Sequence, residues 1–476
     1  MAEDSKYKKL AKNSAIFFIG NMGSKLIAFF IVPFYTYVLT TEEYGTADLI
    51  TTTVNLLVPF VMVGMNEAML RFSTAREDDF ASLATNAMSV VLCGVAVSWL
   101  LFPALRCVSV IGDQIILFLL LLNLTAFNYV FLQFLRGMGN SKAFALNGVL
   151  TTFVMAAANV VALAVLHLGV AGYLASMVVA QTAGAAHIVL ASKLWRYLDL
   201  KALNRALLGR MFRYCAPLIP NSLMWWIISA SDRYVILFFM GAGANGLYNV
   251  AQKVPTLVNT VYAIFMQAWQ ISAIEERDSE DRSQFQTTVF GYVYVALAVI
   301  TSLIAATAYP VYTFLMSASY DGAWQPVALL SAANFFQCIA SFYGATYAAT
   351  GKTRKAFATA AAGALVNLAL TLALVPLLGI MGAALATAAS YAALALLRKP
   401  DMEAFARIHY NKAEVVPSLA IILVQAAISF LPFSPALLCA QGALFVALLV
   451  VLRRSLEKVF GMVSGTVGRK VGRRRG

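Results

Sequence analysis

The chain has few charged residues. Asp, Glu, Lys and Arg make up only 12% of its 476 residues, whereas soluble proteins carry about 25%. Acidic residues are the scarcer sign, with 22 Asp and Glu against 35 Lys and Arg. Hydrophobic residues make up 61% of the chain, and its mean hydropathy is +0.77. This composition leaves no stretch for a soluble domain of ordinary size, so it predicts an integral membrane protein.

Cysteine and histidine are also scarce, with five and three residues respectively. The cysteines are scattered along the chain at Cys93, Cys107, Cys215, Cys338 and Cys439. No CxxC pair and no Cys/His cluster occurs. These spacings exclude a disulfide framework and a Cys/His metal site, so no metal and no cofactor are expected.

Motifs of an enzyme are missing as well. The GKT sequence at 351–353 lacks the earlier glycine of a phosphate-binding loop, because Thr346 stands at that position. No Ser/His/Asp set or paired carboxylate stands out, and no predicted outer loop exceeds about ten residues. A glycan polymerase would be expected to carry a larger exposed domain with such groups. The sequence therefore predicts a protein that is not an enzyme.

The positive charges that are present are unevenly distributed. Thirty-one of the 35 Lys and Arg residues fall in eight short segments, and long apolar runs separate these segments. Every second gap between apolar runs is basic, which is the positive-inside pattern of a multi-pass membrane protein. The pattern predicts fourteen transmembrane helices, with both termini in the cytoplasm. It also explains the net charge of +13 without nucleic acid, because anionic membrane lipids face these segments.

A weak internal repeat divides the predicted spans. Gly139–Ala145 (GNSKAFA) resembles Gly351–Ala358 (GKTRKAFA), and an asparagine-containing helix follows each, with Asn159 in the first and Asn367 in the second. The offset of about 210 residues corresponds to six helices, and an even number of crossings makes the two repeats parallel. We expect an all-α protein of two parallel six-helix repeats that form a V-shaped bundle pair, plus a C-terminal helix pair.

The predicted domain boundaries follow from this repeat. The N-terminal bundle is expected at 1–191 and the C-terminal bundle at 214–397. Two basic cytoplasmic linkers are expected at 192–213 and 398–412. The extra helix pair covers 413–452, and a basic cytoplasmic tail covers 453–476. Two facing bundles leave a central cleft as the expected substrate path, and that geometry is typical of a transporter.

Three cations lie inside apolar runs: Lys25, Arg233 and Lys253. Each costs about 2.5–3.5 kcal/mol near the centre of a membrane helix. They could be neutralised by Asp232, Asp48 and Glu67 and only pin helices together. We favour a water-filled cationic cavity, because the cations lie in corresponding helices of both halves. Such a cavity suits an anionic substrate, since guanidinium groups match phosphate oxygens well.

An ordered series of short motifs resembles the Wzx-like oligosaccharide flippases of the polysaccharide transport family. That family lies in the MOP superfamily, with the MATE exporters and the lipid II flippases. The similarity covers about residues 10–452. The motifs are Gly20–Lys25 (GNMGSK), Pro33–Leu39 (PFYTYVL), Thr41–Gly45 (TEEYG), Arg71–Phe72, Ser231–Tyr234 (SDRY), Gly246–Lys253 (GLYNVAQK) and Ala349–Lys352 (ATGK).

The resemblance implies a flippase in a bacterial or archaeal cytoplasmic membrane. Its implied substrate is an oligosaccharide linked to a polyisoprenyl pyrophosphate, which it would move to the outer leaflet. Implied partners are this lipid, membrane lipids, and a glycan polymerase or glycosyltransferases of the same pathway, with no nucleic acid. The extra helix pair would help to house the lipid tail. The implied substrate-cavity residues are Lys25, Arg71, Arg233, Lys253, Asn21, Asn66, Glu67, Asn221, Asp232 and Gln267, with Trp225, Trp226 and Trp269 as sugar-stacking aromatics.

Other functions share this architecture. A MATE-like drug or cation antiporter would need unpaired acids within the membrane, and Asp232 is the single acid deep in a predicted span. A lipid II flippase would differ in substrate rather than mechanism. From another class, a membrane glycan polymerase or an assembly scaffold stays open, although a scaffold does not explain the interior cations.

Overall fold

A computed structural model describes residues 30–75, 78–260, 262–263, 265–266, 282–350 and 352–458. Within these residues the fold is all-helical, as the composition predicts. Two compact units divide the chain. The first comprises Met1–Trp226 and Met240–Gly246, and the second comprises Ile227–Phe239 and Leu247–Gly476. The predicted domain boundaries stay predictions.

The helices are numbered here in chain order after a helical segment at 30–38. The first ten are α1 (Thr41–Val61), α2 (Met65–Ala75), α3 (Phe80–Leu100), α4 (Phe102–Arg106), α5 (Ile115–Gly137), α6 (Ser141–Asn159), α7 (Gly169–Ser192), α8 (Arg205–Cys215), α9 (Leu218–Met240) and α10 (Ala242–Lys253). The next six are α11 (Arg282–Leu315), α12 (Val327–Thr350), α13 (Thr353–Leu378), α14 (Ile380–Phe405), α15 (Lys412–Ile428) and α16 (Pro435–Val451). Residues Val160–Val165 extend α6 as a π-helix.

Nine helical stretches among the described residues are long and apolar enough to cross a membrane, or ten if α1 and α2 form one bent span. The molecule is therefore a multi-pass membrane protein. Fourteen spans stays a prediction, because the first expected span, 13–38, lies mostly outside the described residues. The C-terminal pair corresponds to α15 and α16, each 17 residues long.

The core of the first unit is built around α5, which follows the helical period. Its residues Phe118 and Leu122 form one pair four positions apart, Phe131 and Leu135 form another, and all four are at most 1% exposed. Residues four positions apart share a helix face, and the two pairs lie on opposite faces, so α5 is buried on both sides as a central helix of the unit. In the second unit, Phe335 of α12 is also fully buried.

The second predicted span, 45–69, is broken in the structure. Helix α1 ends at Val61 and α2 begins at Met65, with a bend of 52° between them. Val63 and Gly64 both have positive φ values, 48° and 68°. A positive φ is unusual for a β-branched residue such as Val63, and glycine adopts it readily. The break therefore rests on Gly64 and on the packing that holds Val63 in place.

We expect Gly64→Ala to lower the stability of the protein by about 1–2 kcal/mol, because an L-residue is strained at positive φ. The added Cβ would also lie 3.3 Å from the Cβ of Cys215. Thermal unfolding of the purified protein in detergent measures the effect. Gly148→Ala is the matched control, since Gly148 lies in α6 with no heavy atom within 4 Å of a Cβ. Equal melting temperatures for the two variants would show that the positive φ of Gly64 does not require glycine.

Close backbone contact joins the start of α1 to the start of α10 within the first unit. A Cβ on Gly45 would lie 1.9 Å from the carbonyl oxygen of Ala242, and a Cβ on Gly246 would lie 2.0 Å from that of Thr41. Asn245 Nδ2 donates to the Gly45 carbonyl at 3.0 Å. Glycine has no Cβ, so only glycine permits this close approach of the two backbones. This explains why one motif has glycine at position 45 and the other has glycine at position 246.

The two asparagines of the internal repeat are both fully buried. In the first unit, Asn159 Nδ2 donates to the hydroxyl of Tyr35 at 3.0 Å. In the second unit, Asn367 Oδ1 accepts from the hydroxyl of Ser231 at 3.3 Å. Each bond joins the fifth expected helix of a repeat to its first. A buried amide needs a partner in a membrane protein, so the matching positions of the two asparagines in the repeat reflect a similar interhelical contact in each unit.

Candidate functional site

The predicted substrate-cavity residues divide into those the structure describes and those it does not. Lys25, Asn21 and Gln267 lie outside the described residues, as does Trp269. The remaining ones lie on α2, α9 and α10. Arg233, Asp232 and Lys253 lie in the second unit, and Arg71, Asn66, Glu67 and Asn221 lie in the first.

Arg233 lies on α9 inside a membrane-spanning stretch and its side chain is only 13% exposed. Its Nη2 donates to Gln252 Oε1 on α10 at 2.7 Å, and its Nη1 donates to the carbonyl of Ser229 at 3.1 Å. Nη1 also lies 3.9 Å from Asp232 Oδ1, which places the two charges at the limit of an ion pair. The guanidinium group is therefore held by two helices.

Asp232 is almost completely buried, with its side chain 1% exposed. Its Oδ2 accepts from the hydroxyl of Tyr248 at 2.5 Å and from that of Thr387 at 3.4 Å. Asn367 Nδ2 extends this network, since it lies 3.4 Å from Thr387 Oγ1 and 3.1 Å from Ser390 Oγ. The network joins α9, α10, α13 and α14. Hydroxyl donors offset part of the cost of burying the carboxylate.

Lys253 is the last residue of α10 and is partly buried. It directly follows Gln252, the partner of Arg233, on the same turn of α10. Asn221, Trp225 and Trp226 lie on the first two turns of α9 and are all partly exposed.

Glu67 and Arg71 lie one helix turn apart on α2 and contact different neighbours. Glu67 Oε1 accepts from Asn66 Nδ2 at 3.0 Å. The guanidinium carbon of Arg71 lies 4.4 Å from the centre of the Tyr214 ring, in a cation–π contact. Both Glu67 and Arg71 are exposed. Glu67 is therefore bonded to its neighbour on α2, and Arg71 contacts an aromatic ring of α8.

Four residues of the Arg233 group were missed by the sequence analysis: Tyr248, Gln252, Thr387 and Ser390. Tyr248 and Gln252 belong to a motif that the sequence analysis quoted for its resemblance, and that motif offered a signal for them. Thr387 and Ser390 lie far along the chain in an alanine-rich helix, where single hydroxyl residues are common. No local pattern distinguishes them.

No group of three or more His, Cys, Asp or Glu residues that could hold a metal ion occurs in the part of the chain that the structure describes. The arrangement around Arg233 is instead a fixed guanidinium beside a hydrogen-bonded carboxylate. Such a group can bind phosphate oxygens through paired N–H donors.

Sequence comparison identifies one family. The sequence model of the polysaccharide biosynthesis protein family matches residues 10–271, which is more than half of the chain. No curated protein matches the chain significantly in sequence.

Solved structures share the fold. Lipid II flippase MurJ, in an inward closed conformation, superimposes with a TM-score of 0.68 at 12% identity, over 93% of this chain and 99% of that chain. An inward-facing multidrug resistance MATE family transporter of the MOP superfamily gives a TM-score of 0.64 at 16% identity, over 82% and 98%. An outward-facing multidrug resistance MATE family transporter of the MOP superfamily gives a TM-score of 0.58 at 18% identity, over 83% of this chain and 95% of that chain. The chain has the fold of these transporters.

Proposed function

Because the chain belongs to the polysaccharide biosynthesis protein family, we propose that it flips an oligosaccharide linked to a polyisoprenyl pyrophosphate. The lipid would move from the cytoplasmic to the outer leaflet of the cytoplasmic membrane, to supply the synthesis of a cell-surface polysaccharide. The transporter fold is consistent with this role, and one protein of that fold is a lipid II flippase. Both termini are proposed to lie in the cytoplasm.

The observation that carries the proposal is the arginine held inside an apolar membrane helix. Arg233 is fixed by Gln252 and by the Ser229 carbonyl, so its guanidinium is oriented before a ligand arrives. A charge at this depth costs about 2.5–3.5 kcal/mol, which a purely structural contact rarely justifies. We propose that Arg233 and Lys253 bind the pyrophosphate, while Asp232 and its hydroxyl partners keep α9 in register.

The other predicted residues extend this proposal. Lys25 and Arg71 would contact the pyrophosphate or acidic sugars at another stage of transport. Asn21, Asn66, Asn221 and Gln267 would meet sugar hydroxyls, and Trp225, Trp226 and Trp269 would stack on sugar faces. Glycan polymerases or glycosyltransferases of the same pathway are the proposed partners.

The membrane potential is the proposed energy source. A potential of about 100 mV is worth about 2.3 kcal/mol for each charge that crosses the membrane. A pyrophosphate of charge near −2 would therefore gain about 4–5 kcal/mol on leaving a negative cytoplasm. No ATP is needed in this mechanism.

Proteoliposomes with a fluorescent lipid-linked oligosaccharide provide the test. We expect the initial rate of flipping to rise at least about threefold when an inside-negative potential of about 100 mV is imposed. Protein-free liposomes are the control. Equal rates with and without the potential would contradict the proposal that the membrane potential drives flipping. A rate no higher than that of protein-free liposomes would contradict the proposal that the protein is a flippase. Uptake of an organic cation in exchange for protons would instead support an antiporter.

A further inference from the structure

Helix α12 carries a row of three polar residues in the middle of a candidate membrane span. Asn334, Gln337 and Ser341 all lie within Val327–Tyr347, a stretch that is long and apolar enough to cross a membrane. Positions three or four apart share one face of a helix, so the three side chains form a row about 10 Å long, at about 1.5 Å per residue. We call Asn334, Gln337 and Ser341 the donor row.

Asn259 fixes the direction of the two amides in the donor row. It lies in the helical segment 256–260 that follows α10. Its Nδ2 donates to Asn334 Oδ1 at 3.0 Å and to Gln337 Oε1 at 2.6 Å. Its own Oδ1 accepts from Cys338 Sγ at 3.2 Å. Because both amide oxygens point at Asn259, the amide nitrogens of Asn334 and Gln337 point away from it.

The donors of the row have no acceptor within the part of the chain that the structure describes. Neither Asn334 Nδ2 nor Gln337 Nε2 donates to a described residue, and neither nitrogen is fully buried. Ser341 is also partly exposed, and its hydroxyl donates to no described acceptor. Ser331, earlier on the same helix, shows the usual alternative, because its hydroxyl donates to the Val327 carbonyl at 2.7 Å.

These donors indicate what the donor row faces. A polar group without a partner is costly in the hydrocarbon of a membrane, so polar residues of a span face water or a ligand. Helix α12 is also well enclosed, with 67% of its most apolar stretch buried inside the protein. On the neighbouring face, Phe335, Cys338 and Phe342 are at most 1% exposed. The donor row therefore faces water or a polar ligand rather than lipid.

The chemistry of the donor row selects among ligands. Amide N–H groups and a hydroxyl donate to oxygen acceptors, and Asn259 already occupies the oxygens of both amides. An organic cation would therefore meet N–H dipoles of the wrong sign. A pyrophosphate favours charged donors, whose hydrogen bonds are roughly twice as strong. The hydroxyl and carbonyl oxygens of a saccharide are neutral acceptors spread along a chain of rings, and they match neutral donors set along a row.

We propose that the donor row binds the saccharide of the lipid-linked substrate through hydroxyl or carbonyl oxygens of its sugar rings, with Asn259 as the positioning residue. This inference rests on the proposed function, which supplies a saccharide inside the membrane. Arg233 and Lys253 hold the pyrophosphate that all such lipids share, whereas the donor row distinguishes one saccharide from another. Selectivity for the sugar and affinity for the carrier lipid thus depend on different residues of the second unit.

Binding to the full-length protein in nanodiscs tests the donor row. One probe is the lipid-linked oligosaccharide fraction extracted from the cells that make this protein, and the other is polyprenyl pyrophosphate without sugar. We define the sugar preference as the ratio of the two dissociation constants. We expect Asn334→Leu combined with Gln337→Leu to lower the sugar preference by about tenfold, because two neutral hydrogen bonds are lost.

The bare lipid is the internal control of this experiment. We expect the affinity of the double variant for polyprenyl pyrophosphate to stay within about twofold of the wild-type value. An equal loss of affinity for both probes would show that the two amides only support the fold, and it would overturn the proposal. A wild-type protein without any sugar preference would overturn it as well.

Two serines of α12 provide a matched pair that leaves the amides intact. Ser341→Ala removes a donor of the row, whereas Ser331→Ala removes a hydroxyl that is already bonded to the Val327 carbonyl. We expect Ser341→Ala to lower the sugar preference by about threefold and Ser331→Ala to leave it within about 1.5-fold of the wild-type value. Equal effects of the two substitutions would contradict the proposal.

Asn259→Asp tests the positioning role. A carboxylate accepts hydrogen bonds but cannot donate, so Asn334 and Gln337 would turn their N–H groups toward it and their oxygens toward the ligand. We expect the sugar preference to fall by about tenfold although both amides are still present, with the affinity for the bare lipid unchanged within about twofold. A wild-type sugar preference in this variant would show that Asn259 does not orient the donor row.

Flipping by the wild-type protein separates the two levels of inference. If lipid-linked oligosaccharide is flipped but the donor-row variants keep the full sugar preference, the donor-row proposal fails and the flippase stands. If the variants lose the sugar preference as expected but the wild-type protein flips neither probe in proteoliposomes, the proposed function fails and the donor row remains a saccharide-binding site.

Discussion

Arg233→Gln is expected to lower the rate of flipping by about 100-fold, and a second change, Asp232→Asn, is expected not to restore it. A charge-assisted hydrogen bond is worth about 1.5–3 kcal/mol, and about 2.7 kcal/mol corresponds to a factor of about 100. The loss follows if the guanidinium binds the substrate's pyrophosphate, as proposed.

The double variant separates substrate binding from a structural role. Removing Arg233 alone leaves the buried carboxylate of Asp232 without the cation 3.9 Å away. An uncompensated buried charge is strongly destabilising, by about 3–5 kcal/mol, so the single variant can lose protein as well as activity. Asp232→Asn removes this charge and can keep its contacts with Tyr248 and Thr387. We therefore expect the double variant to regain abundance without regaining transport.

The measurement is flipping per molecule of reconstituted protein, with membrane abundance followed by immunoblot. Arg233→Lys is a further comparison, because it keeps the charge but not the planar fork that reaches Gln252 and the Ser229 carbonyl. Normal flipping by the double variant would mean that Arg233 serves only to neutralise Asp232. The antiporter and scaffold functions would then need to be reconsidered.

Gly246→Ala is expected to destabilise the protein by more than about 3 kcal/mol, the upper end of the usual cost of overpacking. The new Cβ would lie 2.0 Å from the Thr41 carbonyl oxygen and 2.9 Å from the carbonyl carbon. These are backbone atoms, so no side-chain rotation relieves the contact. Separating α1 from α10 would also break the bond between Asn245 and the Gly45 carbonyl.

Gly243→Ala provides the matched control three residues earlier on α10. A Cβ there would meet only Thr41 Oγ1, at an ordinary contact distance of 3.4 Å. We expect thermal unfolding in detergent to show a large fall in melting temperature for Gly246→Ala and a change of less than about 1 kcal/mol for Gly243→Ala. A wild-type melting temperature for Gly246→Ala would show that the two helices do not touch through their backbones.

The family resemblance drawn from the sequence is confirmed, and so is the all-helical membrane fold. The first prediction depended on the order of short motifs and the second on amino-acid composition, and both can be read directly from the sequence. The internal repeat identified Asn159 and Asn367, and both proved to be buried interhelical donors. The broken second span was not predicted, because Val63 carries no local signal for positive φ and Gly64 alone is tolerated in many membrane helices.

The sequence alone determined that this chain crosses a membrane many times and that basic segments alternate between its spans. A bilayer imposes one local requirement, a run of about 20 apolar residues, and composition meets it without reference to the rest of the fold. Only the tertiary structure decided that Asp232 is bonded by Tyr248 and Thr387, that Arg71 stacks on Tyr214, and that the second span bends at Val63 and Gly64. These contacts depend on how each helix is rotated towards its neighbours. That rotation is set by packing across the whole unit, and no local stretch of sequence records it.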